Sequence, residues 1–307
     1  MTASGRRINA EVAPLLPADA RVSLRLEEIP EFRAAQVWPE VPESEAVERF
    51  ERTVPGEPQV RLRIHRPRLA GPLPCVFWIH GGGLIRGSCV SGDALLQRWA
   101  ERLGFVGVAV SYRLAPQHPY PAALDDCDAG LRWVHDHADE LGVDPARIGV
   151  AGYSAGGGLA AALALRARDR GSPPVAFQLL QVPMLDDRCA SRSSQWQVGP
   201  WYPATNRTAW QAYLGGRADV PAYAAPARAT DLRGLPPAFL SIGGADVFFD
   251  EDVAYAQELV HADVPTEFHV YQDAPHGFDL FAPESHVGRR ALRDIEEWLA
   301  STPRSEA

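Results

Sequence analysis

From GEPQVRLRIHRP onward, hydrophobic and polar positions fall into a regular order that the first 50 or so residues lack. That stretch alternates as a half-buried strand does, and LPCVFWIH and FVGVAVSY are short, continuous apolar runs of buried-strand length. Between them ALLQRWAERLG has helical periodicity and closes at Gly104. ALDDCDAGLRWVHDHADELG reads as one helix, RIGVAGY as a strand, and AGGGLAAALALRARDRG as a helix ending at Gly171. PVAFQLLQVP, PPAFLSIGG and PTEFHVYQD continue as strands, with helices expected from about Asp252 and about Pro283. Strands alternating with helices predict an α/β protein whose mostly parallel sheet is covered on both faces.

Two regions break the alternation. Residues 1–50 mix proline, charge and short apolar clusters such as VSLRLEEI. Cys189 to Leu235 carries Trp196, Trp201, Trp210, Tyr202 and Tyr213 among prolines and polar residues. A loop this long inside a compact domain is usually functional or folded on its own terms. The expected organisation is an N-terminal cap segment (1–50), a core (51–188 and 236–307) and a cap insertion (189–235). The part from Cys189 to Tyr213, the N-terminal segment and Leu84 are expected to border a binding pocket, because large apolar groups gathered together mark binding surfaces. The alternative is that Trp196, Trp201 and Trp210 pack the cap onto the sheet.

With 307 residues, 46% of them hydrophobic, the chain can bury a large core. A net charge of -9 argues against partners built on phosphate, so neither nucleic acid nor an anionic membrane is expected. All 30 basic residues are arginine, which excludes Schiff-base lysine, Ser-x-x-Lys and Walker A chemistry. Cys75, Cys89, Cys127 and Cys189 are widely spread without a Cys-x-x-Cys pair, as reduced thiols in a cytoplasmic protein would be. Arg6-Arg7 lacks a following apolar run, Asn9, Glu11, Asp19 and Arg21 interrupting it, so no export signal is expected. A homodimer is compatible with the chain.

The candidate chemistry begins at Gly152-Tyr153-Ser154-Ala155-Gly156, a G-x-S-x-G between expected strand and expected helix. In a nucleophile elbow the turn is so tight that positions two before and two after the serine must lack bulk. The amide of Ala155 then points where a carbonyl oxygen gains charge. His80-Gly81-Gly82-Gly83 follows the strand CVFWI, and consecutive glycines let amides converge on one anion. GGGLIRG fails the dinucleotide pattern at Arg86.

HGGG, YRLAPQHPYPAALDD (Tyr112 to Asp126) and GYSAGG together resemble the three signature blocks of the hormone-sensitive-lipase-like carboxylesterases, from about Val60 to the C-terminus. That resemblance implies an α/β-hydrolase fold with a small helical cap, hydrolysing small or short-acyl esters without a cofactor. It implies oxyanion-hole amides from Gly82, Gly83 and Ala155, with Asp246 as acid and His276 as base. The chain departs from the family pattern at Tyr153, where aspartate is usual, at Gln117, where glutamate is usual, and at Leu84, where an aromatic is usual. Leu84, Tyr153 and Trp201 are the candidate substrate-binding residues.

The residues support the same assignment. A serine hydroxyl needs an imidazole to take its proton, and the imidazole needs a carboxylate to hold its tautomer. Asp246 follows the strand AFLSIGG and His276 follows TEFHVYQ, in the chain order serine, acid, histidine. Both lie at strand C-terminal ends, where open α/β sheets place their sites. Asp250, Glu251 and Asp252 compete for the acid, but stand where a helix begins and are expected to complement its dipole. His261, His269 and His286 are expected at the surface or in packing. His135-x-His137-x-Asp139 mimics a metal-ligand run, yet i and i+2 side chains do not share a helix face, so a solvated face and no metal are expected. Two other functions stay open: an amidase or N-/O-deacetylase with the same triad, and a non-catalytic small-molecule binder.

Overall fold

The computed structural model describes residues 6–17, 23–171 and 173–302. Residues 1–5 and 18–22 of the expected N-terminal segment, and 172 and 303–307 of the expected core, lie outside the described residues.

Eight strands form one sheet: β1 (Val47–Val54), β2 (Val60–Pro67), β3 (Leu73–Ile79), β4 (Val106–Ser111), β5 (Val143–Tyr153), β6 (Gln178–Gln181), β7 (Ala238–Gly243) and β8 (Thr266–Tyr271). Their spatial order is β1-β2-β4-β3-β5-β6-β7-β8. β1, β2 and β4 pair antiparallel, and every pairing from β4 to β8 is parallel. The parallel strands read as continuous apolar runs because both faces are covered, β3 and β7 being almost wholly buried.

The helices are α1 (Ile29–Ala34), α2 (Asp93–Leu103), α3 (Ala122–Asp136), α4 (Ala138–Leu141), α5 (Ala155–Arg170), α6 (Pro203–Leu214), α7 (Phe249–His261), α8 (Phe278–Phe281) and α9 (His286–Ser301). α3 packs beside α5, and α2 beside α9. α6 lies in the aromatic stretch and is tied to the N-terminal segment, where Thr208 Oγ1 donates to Leu24 O at 2.6 Å.

Three elements differ from the expectation. β1 straddles residue 50; only Val47 and Val54 of VERFERTV are buried, so this edge strand lacks an apolar face to read. β6 has four residues, although a longer run was expected. The helix expected through residue 141 breaks at His137, whose backbone leaves the helical range at φ -114 and ψ 21.

Candidate active site

Ser154 is the single residue between β5 and α5, with φ 56 and ψ -118. Non-glycine backbone of this kind costs on the order of 1–3 kcal/mol and persists only where the surroundings hold it. Here backbone holds it: Ser154 N donates to Gln181 O at 2.8 Å, and Met184 N donates to Ser154 O at 2.9 Å. The neighbouring glycines answer to the same packing. A Cβ on Gly152 would run into Gly156 O, and one on Gly156 into Ile79 O and His80 O. One on Gly158 would strike Met184 O. The first turn of α5 lies against bare backbone, which is why poor helix formers start this helix.

His276 Nε2 lies 2.9 Å from Ser154 Oγ, and its Nδ1 lies 2.8 Å from Asp246 Oδ2. Nδ1–H donates to Asp246, so Nε2 is left to accept from the serine hydroxyl. Asp246 sits fully buried after β7, and its Oδ1 accepts the Phe248 amide at 3.0 Å. Phe248 also stands edge-on to the His276 ring, centroids 5.1 Å apart. The carboxylate is thus anchored by one oxygen and orients the imidazole with the other. Ser154 and His276 are also buried, 5% and 7% exposed, so proton transfer between them is shielded from bulk water.

The glycine loop after β3 runs beside this pair: a Cβ on Gly81 would lie 3.4 Å from Ser154 Cβ. Gly82, Gly83 and Leu84 all have positive φ, at 111°, 62° and 65°. His80 fills the inside of the loop, its Nδ1–H donating to Gly81 O at 2.8 Å and its ring stacked on Tyr112 at 4.1 Å. Burial pushes its pKa down to about 4, so it is a neutral spacer. Tyr112 OH donates to His80 O at 2.9 Å.

The expected substrate-binding residues take three different places. Leu84 lines a small apolar hollow next to Ala155, with Leu159, Met184, Trp210 and Tyr213. Trp201 covers the glycine loop instead: a Cβ on Gly83 would strike its ring, while its Nε1 donates to Asn206 Oδ1 at 3.1 Å. Tyr153 is buried and turns its hydroxyl to Asp279, donating to Oδ1 at 2.5 Å. Gln181 Nε2 adds a longer bond to Asp279 Oδ2 at 3.4 Å. Burial raises the pKa of Asp279, against the Tyr153 hydrogen bond that lowers it. Met184 and Asp279 carry no signal in the sequence, since each reaches the site through tertiary contact alone, whereas Tyr213 belongs to the aromatic stretch expected to border a pocket.

Of the acids competing with Asp246, Asp250 ties to the segment between β6 and α6, accepting the Ser193 amide at 2.7 Å. Glu251 and Asp252 stand in the first turn of α7 as expected, but both point inward rather than to solvent. Glu251 Oε1 accepts the Leu185 and Asp186 amides at 2.8 and 3.2 Å, bracing the segment that holds Ser154 O. Asp252 is fully buried with neither oxygen partnered among the described residues. Burial raises the pKa of both. Of the expected helix-face histidines, His137 at the break donates Nδ1–H to Trp133 O at 2.9 Å and stacks on that ring. His135 is half-buried, and burial lowers its pKa. No group of three potential metal ligands occurs among the described residues.

His269 lies on β8 between Glu267 and Asp294, at 2.6 and 3.2 Å. Gly199, ahead of α6, closes on the loop carrying His276, where a Cβ would lie 2.9 Å from Pro275 Cβ. No helix among the described residues is long and apolar enough to cross a membrane.

Comparison with known proteins agrees with this fold. A family model described as the alpha/beta hydrolase fold matches residues 76–280. Esterase LipI of Mycobacterium tuberculosis is 40% identical over 213 residues, which are 68% of this chain and 67% of the relative. Carboxylesterase NlhH of the same species is 39% identical over 246 residues, 76% of each chain. Among solved structures, a bacterial heroin esterase superposes with TM-score 0.89 at 37% identity, over 97% of this chain and 99% of that one. Esterase LipW from Mycobacterium marinum gives TM-score 0.83 at 34% identity, over 97% and 98%.

Proposed function

The chain belongs to the hormone-sensitive-lipase-like carboxylesterases of the α/β-hydrolase superfamily, and we propose that Ser154, His276 and Asp246 are its catalytic triad. It is a serine carboxylesterase-type hydrolase acting on small-molecule esters. The observation that carries the residue assignment is the unbroken chain of contacts from Ser154 Oγ to His276 Nε2 at 2.9 Å and from His276 Nδ1 to Asp246 Oδ2 at 2.8 Å.

In this reading Ser154 Oγ attacks the ester carbonyl while its proton passes to His276 Nε2. The oxygen that gains charge meets the amides of Gly82, Gly83 and Ala155. Collapse of the tetrahedral intermediate expels the alcohol, which takes its proton from His276. Water then enters and hydrolyses the acyl-enzyme by the same route, restoring Ser154. Asp246 holds the tautomer throughout.

The hollow beside Ala155 favours short acyl groups, because Leu84, Met184, Trp210 and Tyr213 bound it with bulk. The four cysteines are free and buried, which suits a reducing cytoplasm. Hydrolysis of chromogenic acetyl, butyryl, hexanoyl and octanoyl esters, with one anilide, tests the reading. Short esters should turn over fastest and the anilide far more slowly; a faster anilide favours the amidase reading. Ser154→Ala should lose on the order of 10⁶ in kcat while staying folded. More than a few per cent residual activity, free of wild-type enzyme, refutes the nucleophile.

A further inference from the structure

The loop assigned to the oxyanion hole is gripped from outside by α1 and the turn after it. Arg33 on α1 donates Nε–H to Ile85 O at 2.9 Å and Nη2–H to Ala115 O at 2.8 Å. The same Nη2 reaches Gln117 Oε1 at 3.1 Å. Two residues beyond the end of α1, Gln36 Oε1 accepts the Gly87 amide at 3.0 Å. Phe32 lies under the Arg86 guanidinium, 4.3 Å from ring centroid to Cζ. The loop Gly82–Gly87 thus receives contacts from three residues within a five-residue segment. Ala115 in turn donates its amide to Leu84 O at 3.0 Å, so Arg33 spans two backbone segments that also bind each other.

These contacts bear on geometry that the loop does not secure alone. Leu84 has positive φ without being glycine, and Ile85 N and Arg86 N both bond back to Gly82 O, forming one tight turn. Rotation of that turn would carry the Gly82 and Gly83 amides away from Ser154. A guanidinium has a rigid planar fork that fixes two carbonyls at once, which an ammonium lacks. All three acceptors on Arg33 are neutral, so the side chain sets positions rather than cancelling a buried charge.

We propose that Arg33 is a positioning residue that holds the oxyanion loop in its working conformation, an inference that rests on the assignment of Gly82 and Gly83 above. Its effect therefore falls on the transition state. An oxyanion contact strengthens only as the tetrahedral intermediate forms, so loss of alignment lowers kcat and kcat/KM together while KM stays nearly constant.

The test compares Arg33→Ala, Arg33→Lys, Gln36→Ala and Arg25→Ala in the full chain, using an acetyl ester. Arg33→Ala should lose about 10- to 100-fold in kcat, the range that a misplacement of about 1 Å produces, with KM within about twofold. Binding of a trifluoromethyl ketone, which forms an oxyanion on the serine, should weaken in parallel. Arg33→Lys keeps the charge but not the fork, and should remain several-fold below wild type. Gln36→Ala should show the same kcat signature at about threefold, and carries the test alone if Arg33→Ala does not fold. Arg25, paired with Glu28 in the same segment, is the control and should behave as wild type.

A folded Arg33→Ala enzyme with normal kcat, a lysine variant equal to wild type, or a loss confined to KM overturns the proposal. With Ser154→Ala assayed alongside, the two readings fail separately. An inactive Ser154→Ala beside a normal Arg33→Ala removes only this inference, whereas an active Ser154→Ala removes the site itself.

Discussion

The elbow around Ser154 is held by backbone atoms of adjoining core segments, whereas the loop Gly82–Gly87 beside it is held largely by side chains from distant segments. At the elbow, Gln181 O and Met184 N bond Ser154, and backbone oxygens occupy the space that a Cβ on Gly152, Gly156 or Gly158 would need. At the loop, the grip comes from Arg33 and Gln36, from Trp201 over Gly83, and from His80 stacked on Tyr112. Backbone obstacles cannot turn aside, so positions 152, 156 and 158 tolerate nothing larger than glycine. At Gly83 the obstacle is the Trp201 side chain, which can be cut back, so that position of the loop is adjustable. One half of the site is rigid by exclusion, and the other is set by contacts that substitution can tune.

After loss of Ser154 itself, the largest expected effect falls on the carboxylate that serves the elbow through His276. Asp246→Asn should lower kcat by about 10⁴-fold, because an amide can donate to Nδ1 and so favour the wrong tautomer. Asp250→Asn should cost far less, since Asp250 serves the Ser193 amide. Steady-state kinetics of the two variants decide it, and the reverse ranking would move the acid to Asp250.

A pair of glycine substitutions sharpens the contrast. Gly156→Ala should cost about 1–3 kcal/mol of stability through overpacking, and activity with it, as Ile79 O and His80 O are displaced. Gly83→Ala should also be damaging, but its obstacle is the Trp201 ring. Adding Trp201→Ala should therefore recover part of the stability lost in Gly83→Ala. Truncating a nearby side chain should recover none in Gly156→Ala. Denaturant midpoints of the single and double variants measure this, and equal recovery in both backgrounds would erase the distinction.

The smallest effect concerns the buried acids near the elbow. Burial raises the pKa of Asp252 in the folded protein, so the folded state keeps a proton that the unfolded chain releases. Its contribution to stability therefore falls as pH rises from the ordinary carboxylate range toward the raised folded value. The slope is at most about 1.4 kcal/mol per pH unit for one proton. Asp252→Asn should remove that slope, flattening the dependence of the urea midpoint on pH between 5 and 8. An unchanged slope would show that Asp252 does not hold the extra proton. Glu251 has its own raised pKa and two backbone amides, so its share should survive.

Local pattern made much of the elbow legible before any coordinates: a strand, a serine between glycines and a helix are written in consecutive residues. The proposed acid and base, Asp246 and His276, can be singled out in the sequence because chain order and strand ends narrow the choice. The inward turn of Glu251 and Asp252 is not legible there, since three acids at a helix start look alike until the helix is docked. Tyr153 stands where the family pattern has aspartate and is a candidate substrate contact in the sequence. Its partner Asp279, 126 positions away, is invisible without the packing of α8. β1 is not legible in the sequence, because an edge strand with polar residues on both faces carries no alternation.

By itself the sequence determined what periodicity and short-range motifs can encode: an α/β sheet, a tight strand–serine–helix turn, an ordered set of catalytic candidates and no lysine chemistry. Those follow from backbone sterics and hydrophobic burial, which act between near neighbours in the chain. Only the tertiary structure decided what grips the glycine loop, which aromatics bound the hollow and which acids lie unpaired in the interior. Arg33 meets Ile85 and Ala115 across 52 and 82 positions, and Thr208 meets Leu24 across 184. Contacts over such separations depend on how α1 and α6 dock on the completed sheet, and no local pattern of residues specifies that docking.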